Sequence, residues 1–386
     1  MINQILFILC IVTSVFCAIQ YYITWWSIRE GKKEEDGLSD FTPPVSILKP
    51  LTGVEPGLRE NLKAFFELDY PAYELIFCFE TPVDPAIELV DSLKEKYPQI
   101  PVKKVISDPN FGYNPKVSNV AGGLAKASHD LILISDADIR PDKNYLRIIV
   151  QRFGDPQVGL VSNLIRGKGD DSLGSLLENL RLNFFVINGV TTLYNLIHHP
   201  SVVGKSMLLR RSYLEQLGGL KSVRNYLAED YILGQKMREM GKRVVISRHL
   251  ITSFSNKRTF RQFFNRRYRW HILRFHLSKP AYFIEPLVNP LFWSLIFMIT
   301  SLFSAVSIFT FFLIALFKVI LEALQGETLH DRIRFTPYLF VPLKDIMIGI
   351  IWFIPFFKNS VRWRKHRFKV KHKTELIPIQ KKSETA

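Results

Sequence analysis

The sequence of 386 residues predicts an α/β domain with a mostly parallel sheet, placed between N-terminal and C-terminal transmembrane helices. Two observations predict this fold class. Residues 43–255 alternate short apolar runs with amphipathic ones, which is typical of βαβ units. Long stretches with few or no charges lie on both sides of that region. We therefore divide the chain into an N-terminal transmembrane anchor (1–31), an α/β domain (43–255), a basic and aromatic interfacial helix (256–282), a C-terminal membrane region of two or three segments (283–357) and a basic tail (358–386).

The N-terminal element is the apolar stretch Ile5–Trp26, which contains no charged residue. As a helix it would be roughly 33 Å long, about the thickness of a bilayer core. A cleaved signal peptide is the alternative, but such peptides carry a basic start and a shorter apolar core. Basic residues follow the stretch at Arg29, Lys32 and Lys33 and none precedes it. This bias predicts a cytosolic location for the α/β domain and the tail.

The α/β region predicts five strands and three helices. The predicted strands are Val45–Leu48, Glu74–Phe79, Leu131–Ile134, Val158–Val161 and Arg243–Ser247, and the predicted helices are Leu58–Leu68, Pro85–Tyr97 and Asp230–Met240. In sheets of this kind ligands bind outside the carboxyl ends of the strands, so we expect the functional residues to follow the strands directly.

Two aspartates, Asp136 and Asp138, follow the predicted strand Leu131–Ile134. In an extended chain this spacing projects both carboxylates to the same side. Such a pair can hold Mg²⁺ or Mn²⁺ against a diphosphate, although aspartate is also a common turn residue after strands.

A second acidic pair, Glu229 and Asp230, begins a predicted helix. Acidic residues there can simply complement the helix dipole. The functional interpretation is a general base that takes a proton from an acceptor hydroxyl. We favour Asp230 as the base, with Glu229 as the alternative, and expect Asp138 and Asp230 to open into one cleft.

A basic cluster interleaved with aromatic residues precedes the C-terminal membrane region. Its members are Lys257, Arg258, Arg261, Arg266, Arg267 and Arg269, with Phe260, Phe263, Phe264, Tyr268 and Trp270. The cluster fits a helix on the membrane surface, and its arginines also suit bidentate phosphate recognition. Because it lies beside membrane segments and paired aspartates, we expect a diphosphate partner and no nucleic acid.

The C-terminal membrane region contains two apolar segments. Leu287–Phe317 carries no charge and predicts a hairpin or one long tilted helix. Tyr338–Phe357 is interrupted by Lys344 and Asp345, a pair that should face protein or a polar cavity. From Lys358 onward, ten basic residues against two glutamates predict a tail on anionic lipid or a solvated, disordered one.

Composition limits the class of partner and of site. Basic residues exceed acidic ones by 51 to 35, a net charge of +16, which favours phosphates, diphosphates or acidic headgroups. The cysteines at 10, 17 and 78 have no metal-ligand spacing, so we expect neither a disulfide framework nor a zinc site.

The chain resembles the ceramide glucosyltransferase family, glycosyltransferase family 21, among inverting enzymes of the GT-A nucleotide-sugar fold. The similarity runs from Val45 to Trp270 and weakly beyond. Its motifs are Leu48–Gly53 (LKPLTG), Phe65–Pro71 (FFELDYP), Asp84–Ile87 (DPAI), Asn114–Asn119 (NPKVSN), Ala228–Tyr231 (AEDY), and Arg266, Arg269 and Trp270 in an RxxRW arrangement.

The resemblance implies a UDP-sugar donor such as UDP-glucose, a divalent cation and a membrane-lipid acceptor approached from the cytoplasmic face. It makes Asp138 the carboxylate for metal and diphosphate and Asp230 the catalytic base, and Asp136 is the second candidate for the metal ligand. The donor-binding residues it implies are Lys49, Glu80, Lys116, Asp136, Asp138, Arg266, Arg269 and Trp270.

The sequence departs from the family pattern in two places. Thr81 stands where the family usually has a uracil-contacting aspartate, and Glu80 is the nearest carboxylate. The family often has one acidic residue where this chain has both Asp136 and Asp138. His198 and His199, in an apolar region, are open between packing and acceptor contact.

The resulting expectation is inverting, non-processive sugar transfer, with glucose as the sugar and ceramide as the lipid. A hopanoid or diacylglycerol acceptor, a processive polysaccharide synthase and a catalytically inactive membrane scaffold are the alternatives.

Overall fold

The structure is a computed structural model that describes residues 1–34, 37–330, 335–363 and 366–379. The strands are β1 (Val45–Leu51), β2 (Tyr73–Phe79), β3 (Val102–Ile106), β4 (Leu131–Ser135), β5 (Ile139–Arg140), β6 (Val158–Gly169), β7 (Ser206–Arg210), β8 (Arg243–Ser255), β9 (Ser360–Trp363), β10 (His366–Val370) and β11 (Leu376–Pro378). The helices are α1 (Ile2–Glu34), α2 (Leu58–Phe66), α3 (Ala86–Lys96), α4 (Pro115–Lys126), α5 (Tyr145–Val150), α6 (Leu173–Arg181), α7 (Ile187–Ile197), α8 (Arg211–Gln216), α9 (Glu229–Glu239), α10 (Phe260–Leu277), α11 (Lys279–Ile284), α12 (Pro290–Thr300), α13 (Ala305–His330) and α14 (Val341–Ile351).

An eight-stranded sheet forms the centre of the α/β domain, in the order β3-β2-β1-β4-β7-β6-β8-β5. The strands β3, β2, β1 and β4 are mutually parallel, as are β6 and β8. β7 runs antiparallel to both of its neighbours, and β5 runs antiparallel to β8. All five predicted strands and all three predicted helices are present. The strands β3, β5 and β7 were not predicted.

Helices cover both faces of this sheet because successive side chains of a strand point to opposite faces. Ile47 of β1 packs with Leu62 of α2 and Val90 of α3 in one core. Its neighbour Leu48 packs with residues of α4 and α9 in the core of the other face. The α/β domain therefore has two layers of helices around one sheet.

Three helical segments are long and apolar enough to cross a membrane: Ile2–Lys33, Ala305–His330 and Thr336–Phe356. A fourth candidate is the helix pair 279–288 and 290–300, which is bent by 75°. The uncharged stretch 287–317 forms a hairpin of α12 and α13, and the chain reverses at Leu302 and Phe303, both with positive φ. Of the two predicted arrangements, the hairpin is the one found.

The C-terminal segment is folded, so the prediction of a disordered tail is wrong for residues 358–363 and 366–379, whereas its binding to anionic lipid stays a prediction. Strands β9, β10 and β11 form an antiparallel sheet. Its apolar residues pack on Leu227 and on Ile272 of α10, and the Leu227 N–H donates a hydrogen bond of 2.9 Å to the carbonyl oxygen of Thr374. The rest of the predicted tail, 364–365 and 380–386, lies outside the described residues.

Candidate active site

A cavity of about 770 Å³ lies between the strand ends of the α/β domain and the C-terminal helices. One end is lined by charged side chains: Lys116, Asp136, Lys205, Glu229, Asp230, Arg266 and Arg269. The other end, among the candidate membrane helices, is lined mainly by apolar side chains, including Phe16, Phe184, Phe292 and Ile348, together with the buried ion-paired residues Lys318, Lys344 and Asp345. Its volume falls in the range of small-molecule sites, and its two ends suit a ligand with both polar and apolar parts.

Lys116 connects three parts of the charged end. Its Nζ lies 2.8 Å from Asp136 Oδ1 and 3.3 Å from Glu229 Oε1, and it donates a 2.5 Å hydrogen bond to the carbonyl oxygen of Gly204. Asn114 caps α4 by accepting from the N–H groups of residues 116 and 117, and its amide donates to Glu229 Oε2 at 3.0 Å. The motif NPK thus holds the lysine and the glutamate in a fixed relation.

Asp230 is held by main-chain donors. Its Oδ2 accepts from the Gly204 N–H at 2.6 Å, and its Oδ1 accepts from the Tyr231 N–H at 2.8 Å. A Cβ on Gly204 would lie 2.6 Å from Asp230 Oδ2, so only glycine permits this approach. Asp230 is half-buried and lines the cavity, whereas Glu229 is buried with both oxygens engaged.

Three carboxylates share the single charge of Lys116. Burial raises the pKa of Asp230, and it raises the pKa of Glu229 to about 7 although Lys116 opposes the shift. Burial works against the charge of Lys116, but Asp136, Glu229 and Asp230 outweigh it and hold the lysine pKa well above its ordinary value. The cluster therefore keeps the lysine charged and carries excess negative charge.

The two aspartates after β4 do not project to the same side, so that expectation is wrong. The chain turns at residues 136–139, where the Ile139 N–H donates to the Asp136 carbonyl oxygen at 3.3 Å. Asp136 lines the large cavity with Asp230. Asp138 instead lines a small neighbouring pocket, and the expectation of one cleft shared by Asp138 and Asp230 is also wrong.

Asp138 is bound by Lys205, and its Oδ2 also accepts a hydrogen bond from Ser253 Oγ at 3.2 Å. Burial opposes ionisation of this carboxyl, but the charges of Lys205 and Arg266 outweigh it and lower its pKa to about 2. Its Oδ1 is buried and accepts no hydrogen bond from the described residues. Lys205 lines the large cavity, so this lysine connects Asp138 to it.

Lys49 lies inside the sheet. Its side chain is 0% exposed, and its Nζ donates to Ser135 Oγ at 3.2 Å and to the Asp136 carbonyl oxygen at 2.6 Å. Through these two hydrogen bonds Lys49 holds the end of β4 from within the sheet. Burial lowers the pKa of Lys49 to about 7. Glu80 and Thr81 are exposed where β2 ends.

The RxxRW residues lie on α10, which begins with a capping box of Thr259 and Gln262. Arg266 Nε donates to Glu178 Oε1 at 3.0 Å, and Arg266, Arg269 and Trp270 all line the cavity. Arg269 lies over the Trp363 ring of the C-terminal sheet, 5.2 Å from its centroid. This helix packs between the cavity and that sheet.

Sequence reasoning missed Glu178, Gly204 and Lys205. Glu178 is buried on α6 and also pairs with Arg267 at 2.8 Å. A lone acidic residue in the apolar run of α6 was the available signal.

Of the two histidines that the sequence left open, His199 lines the cavity and approaches the Tyr231 hydroxyl at 3.5 Å, whereas His198 is exposed.

The model of glycosyl transferase family 21 matches residues 5–376. The chain belongs to this family. It is therefore a glycosyltransferase, as the resemblance predicted. Two similar relatives of this family 21 member are ceramide glucosyltransferases 1 and 3 of Caenorhabditis elegans. The first is 29% identical over 94% of this chain and 78% of its own length, and the second is 26% identical over 96% and 81%.

The fold of this family 21 enzyme is GT-A, as predicted. A mannosyltransferase of Pyrobaculum calidifontis, in complex with GDP-Man and Mn²⁺, has a similar fold with a TM-score of 0.50. It is 17% identical in sequence, and the alignment covers 90% of this chain and 99% of that one.

Proposed function

We propose that this enzyme transfers glucose from UDP-glucose to a hydroxyl group of a membrane lipid, with inversion and one sugar at a time. The observation that carries the proposal is the single cavity in which the carboxylates Asp136, Glu229 and Asp230 meet apolar walls from the candidate membrane helices. A lipid can enter such a cavity from the apolar end while its hydroxyl group reaches the charged end. The two relatives named ceramide glucosyltransferases support both the sugar and the lipid class.

Asp230 is the general base in this proposal. Its carboxylate is held by two main-chain donors and faces the cavity, which leaves lone pairs of both oxygens for the proton of the acceptor hydroxyl. Removing that proton while the hydroxyl oxygen attacks the sugar gives direct displacement and inversion. Glu229 is less suited because it is buried against Lys116 and Asn114, where it positions the lysine.

The donor diphosphate is proposed to lie near Arg266, Lys116 and Lys205. The charges of Asp138 and Asp136 both raise the pKa of Arg266, so this arginine lies near both aspartates. Its guanidinium group suits phosphate oxygens, and Arg269 and Trp270 line the same wall. Lys49 would act indirectly, through the main chain of Asp136. The contact of Glu80 with uracil stays a prediction.

The site fits a divalent cation. Asp138 Oδ1 is a buried oxygen that accepts no hydrogen bond from the described residues, and the carboxylates around Lys116 carry excess negative charge. Within residues 1–34, 37–330, 335–363 and 366–379 no three His, Cys, Asp or Glu side chains form a metal site, so the donor would supply further oxygen ligands. Asp138 would hold Mg²⁺ or Mn²⁺ together with oxygen atoms of the donor, and the cation would stabilise charge on the leaving diphosphate. The other predicted metal ligand, Asp136, faces the large cavity and pairs there with Lys116. The mannosyltransferase of similar fold is in complex with Mn²⁺.

We place the active site on the cytoplasmic side of the membrane. Basic residues follow the apolar part of α1 and none precedes it within that helix, which favours a cytosolic location for the segment after α1. Limited proteolysis of sealed membrane vesicles of known orientation, read with antibodies against the α/β domain, tests this orientation.

The test of the proposed function is transfer by the purified full-length protein. It is incubated with labelled UDP-glucose, UDP-galactose or UDP-N-acetylglucosamine, with Mn²⁺ and with separate lipid acceptors, and the labelled product is identified by mass spectrometry. We expect a lipid that carries one glucose with inverted anomeric configuration. A labelled polymer, or no labelled lipid from any donor, would contradict the proposal.

A further inference from the structure

The cavity has an apolar mouth. Most of the residues that line the cavity are buried or half-buried, so a lining residue that is also exposed marks a place where the cavity opens. In the described part of the chain four residues meet both conditions: Leu193 and Ile197 of α7, and Ala281 and Ile284 of α11. Ile197 is 63% exposed and Ile284 is 57% exposed. All four side chains are apolar, so this mouth is more stable against lipid than against water.

The apolar surface continues outside the mouth on both helices. Leu193, Leu196 and Ile197 lie on one face of α7, because residues three and four positions apart are neighbours on a helix. Leu196 is exposed and lies beside the mouth. On α11 the exposed Phe283 adjoins Ile284. Exposed apolar patches of this kind mark contact with a membrane or with another protein.

Helix α1 fixes the depth of α7. Thr24 Oγ1 of α1 donates a hydrogen bond to Asn188 Oδ1 at 2.7 Å, and Asn195 Nδ2 donates to Ser27 Oγ of α1 at 2.9 Å. Ser27 directly follows the uncharged stretch of α1, and Arg29 comes two residues later. The end of α7 therefore lies level with the end of a candidate membrane span, where the hydrocarbon core gives way to headgroups.

The other side of the mouth also contacts α1. Helix α11 begins the bent helix pair 279–288 and 290–300. At the end of its first half, the carbonyl oxygen of Val288 accepts a hydrogen bond of 3.4 Å from Cys17 Sγ of α1. Phe16 and Gln20 of α1 line the cavity between these contacts. The mouth therefore borders a helix that is long and apolar enough to cross a membrane.

A bilayer fits the patch around the mouth better than a protein partner does. The patch adjoins the exposed surface of α1, where Ile19, Tyr22 and Trp26 are exposed at the same level. Tyrosine and tryptophan are enriched where the hydrocarbon core meets the headgroups. With 11 residues α7 is too short to span the membrane, so contact with the membrane surface explains its exposed apolar face.

The mouth lies close to the proposed base. Two residues after Ile197, the ring of His199 lies 6.0 Å from the ring of Tyr231, measured between centroids. Tyr231 adjoins Asp230, and both line the cavity. A hydroxyl group that passes between α7 and α11 thus has a short path to the carboxylate.

We propose that the cavity opens sideways into the leaflet that faces the α/β domain, and that the acceptor lipid enters between α7 and α11 with its hydroxyl group first. The lipid chains stay among the apolar side chains while the hydroxyl group reaches Asp230. An acceptor without net charge suits a mouth without charged side chains. The inference rests on the proposed function for the acceptor, but contact of the mouth with the bilayer is independent of sugar transfer.

The first experiment measures contact with the bilayer without any sugar donor. Leu196→Cys and Phe283→Cys are each labelled with a nitrobenzoxadiazole fluorophore in the full-length protein, which is placed in phosphatidylcholine nanodiscs with or without doxyl-labelled lipid. Gln99→Cys is the control, at an exposed position where the chain enters β3, on the sheet edge opposite Asp136. The three native cysteines are buried, and the unsubstituted protein checks that they stay unlabelled. We expect doxyl lipid to reduce the fluorescence at 196 and 283 and not at 99.

The second experiment narrows the mouth. Ile197→Trp/Ile284→Trp adds bulk at two mouth positions, whereas the matched control Leu196→Trp/Phe283→Trp adds tryptophans beside the mouth. Tryptophan is well tolerated at membrane interfaces, so both variants should keep the wild-type Tm. Transfer to ceramide and to diacylglycerol is measured in nanodiscs. We expect Ile197→Trp/Ile284→Trp to lower kcat/KM for the lipid at least about tenfold with an unchanged donor KM, and the control to match the wild type.

Unquenched labels at positions 196 and 283 would show that the patch faces water or another protein, and would overturn the inference even if the tryptophan variants did not fold. Wild-type kcat/KM in Ile197→Trp/Ile284→Trp, or an equal loss in both double variants, would overturn the role of the mouth. Quenching at both positions without sugar transfer to any lipid would contradict the proposed function alone.

Discussion

Gly204→Ala is a one-carbon change aimed at the position of the proposed base. The new Cβ would lie 2.6 Å from Asp230 Oδ2 and 3.0 Å from its Cγ. An ordinary contact between a Cβ and another heavy atom is 3.4 Å or longer. The Asp230 carboxylate must therefore move away from the new Cβ by several tenths of an ångström to about 1 Å. The Gly204 N–H also holds this carboxylate, at 2.6 Å. Misplacement of a catalytic group by about 1 Å can cost roughly 100-fold in rate, which is the loss in kcat that we expect.

The assay is steady-state transfer to lipid by purified full-length protein, with Tm measured on the same samples. The loss should fall on kcat, with the donor KM nearly unchanged, because Asp230 is not a donor ligand in this account. Gly154→Ala is the matched control, since nothing lies within 4 Å of a Cβ at that position. A Gly204→Ala enzyme with wild-type kcat would refute the role assigned to the position of Asp230.

Three further predictions concern protonation, the cation and the C-terminal sheet. Because burial raises the pKa of Glu229 from 4.5 to about 7, its contribution to stability is full below pH 4.5 and is lost as pH rises through 7. Glu229→Gln should therefore lose less Tm than the wild type between pH 5.5 and 8.5, and an equal loss would contradict the shift. Asp138→Asn should weaken Mn²⁺-dependent UDP binding at least about tenfold by calorimetry while the exposed Asp91→Asn does not, and unchanged affinity in Asp138→Asn would count against the cation site. Deleting residues 358–386 uncovers Leu227 and Ile272, so Tm should fall and transfer should be impaired; a truncated enzyme as stable and active as the full chain would refute a structural role for this sheet.

Five strands and three of the covering helices could be predicted because each of these strands is a short apolar run and each of these helices is an amphipathic one. The missed strands have weaker signals. β3 carries two adjacent lysines and has no fully buried residue, and β7 is a five-residue run that reverses direction between β4 and β6. Nothing in a short apolar run specifies whether it pairs in a parallel or an antiparallel direction.

The pair Asp136 and Asp138 was misjudged because the residue spacing was interpreted as extended chain. The same spacing within a turn sends the two carboxylates into different pockets. The basic tail was misjudged because net charge obscured its few apolar side chains. Val361, Phe368, Val370 and Leu376 are enough to pack a small sheet on the α/β domain and α10.

The residues that only the structure revealed at the site lie in segments without a recognisable motif. Glu178 belongs to an apolar helix, and its importance comes from contacts with α10, about 90 residues later in the chain. Other site residues could be predicted because they lie in the stretches that carry the family resemblance. These are Asn114, Lys116, Glu229 and Asp230. Long-range ion pairs of this kind cannot be derived from local periodicity.

The most direct test of the central claim is Asp230→Asn in the full-length enzyme. Transfer to lipid and affinity for the UDP-sugar are measured on the same preparation, with Glu229→Gln in parallel. The account predicts that Asp230→Asn lowers kcat by about 10²-fold to 10⁴-fold while donor affinity stays within about threefold of the wild type. Undiminished turnover in Asp230→Asn, or a loss explained entirely by weaker donor binding, would contradict it.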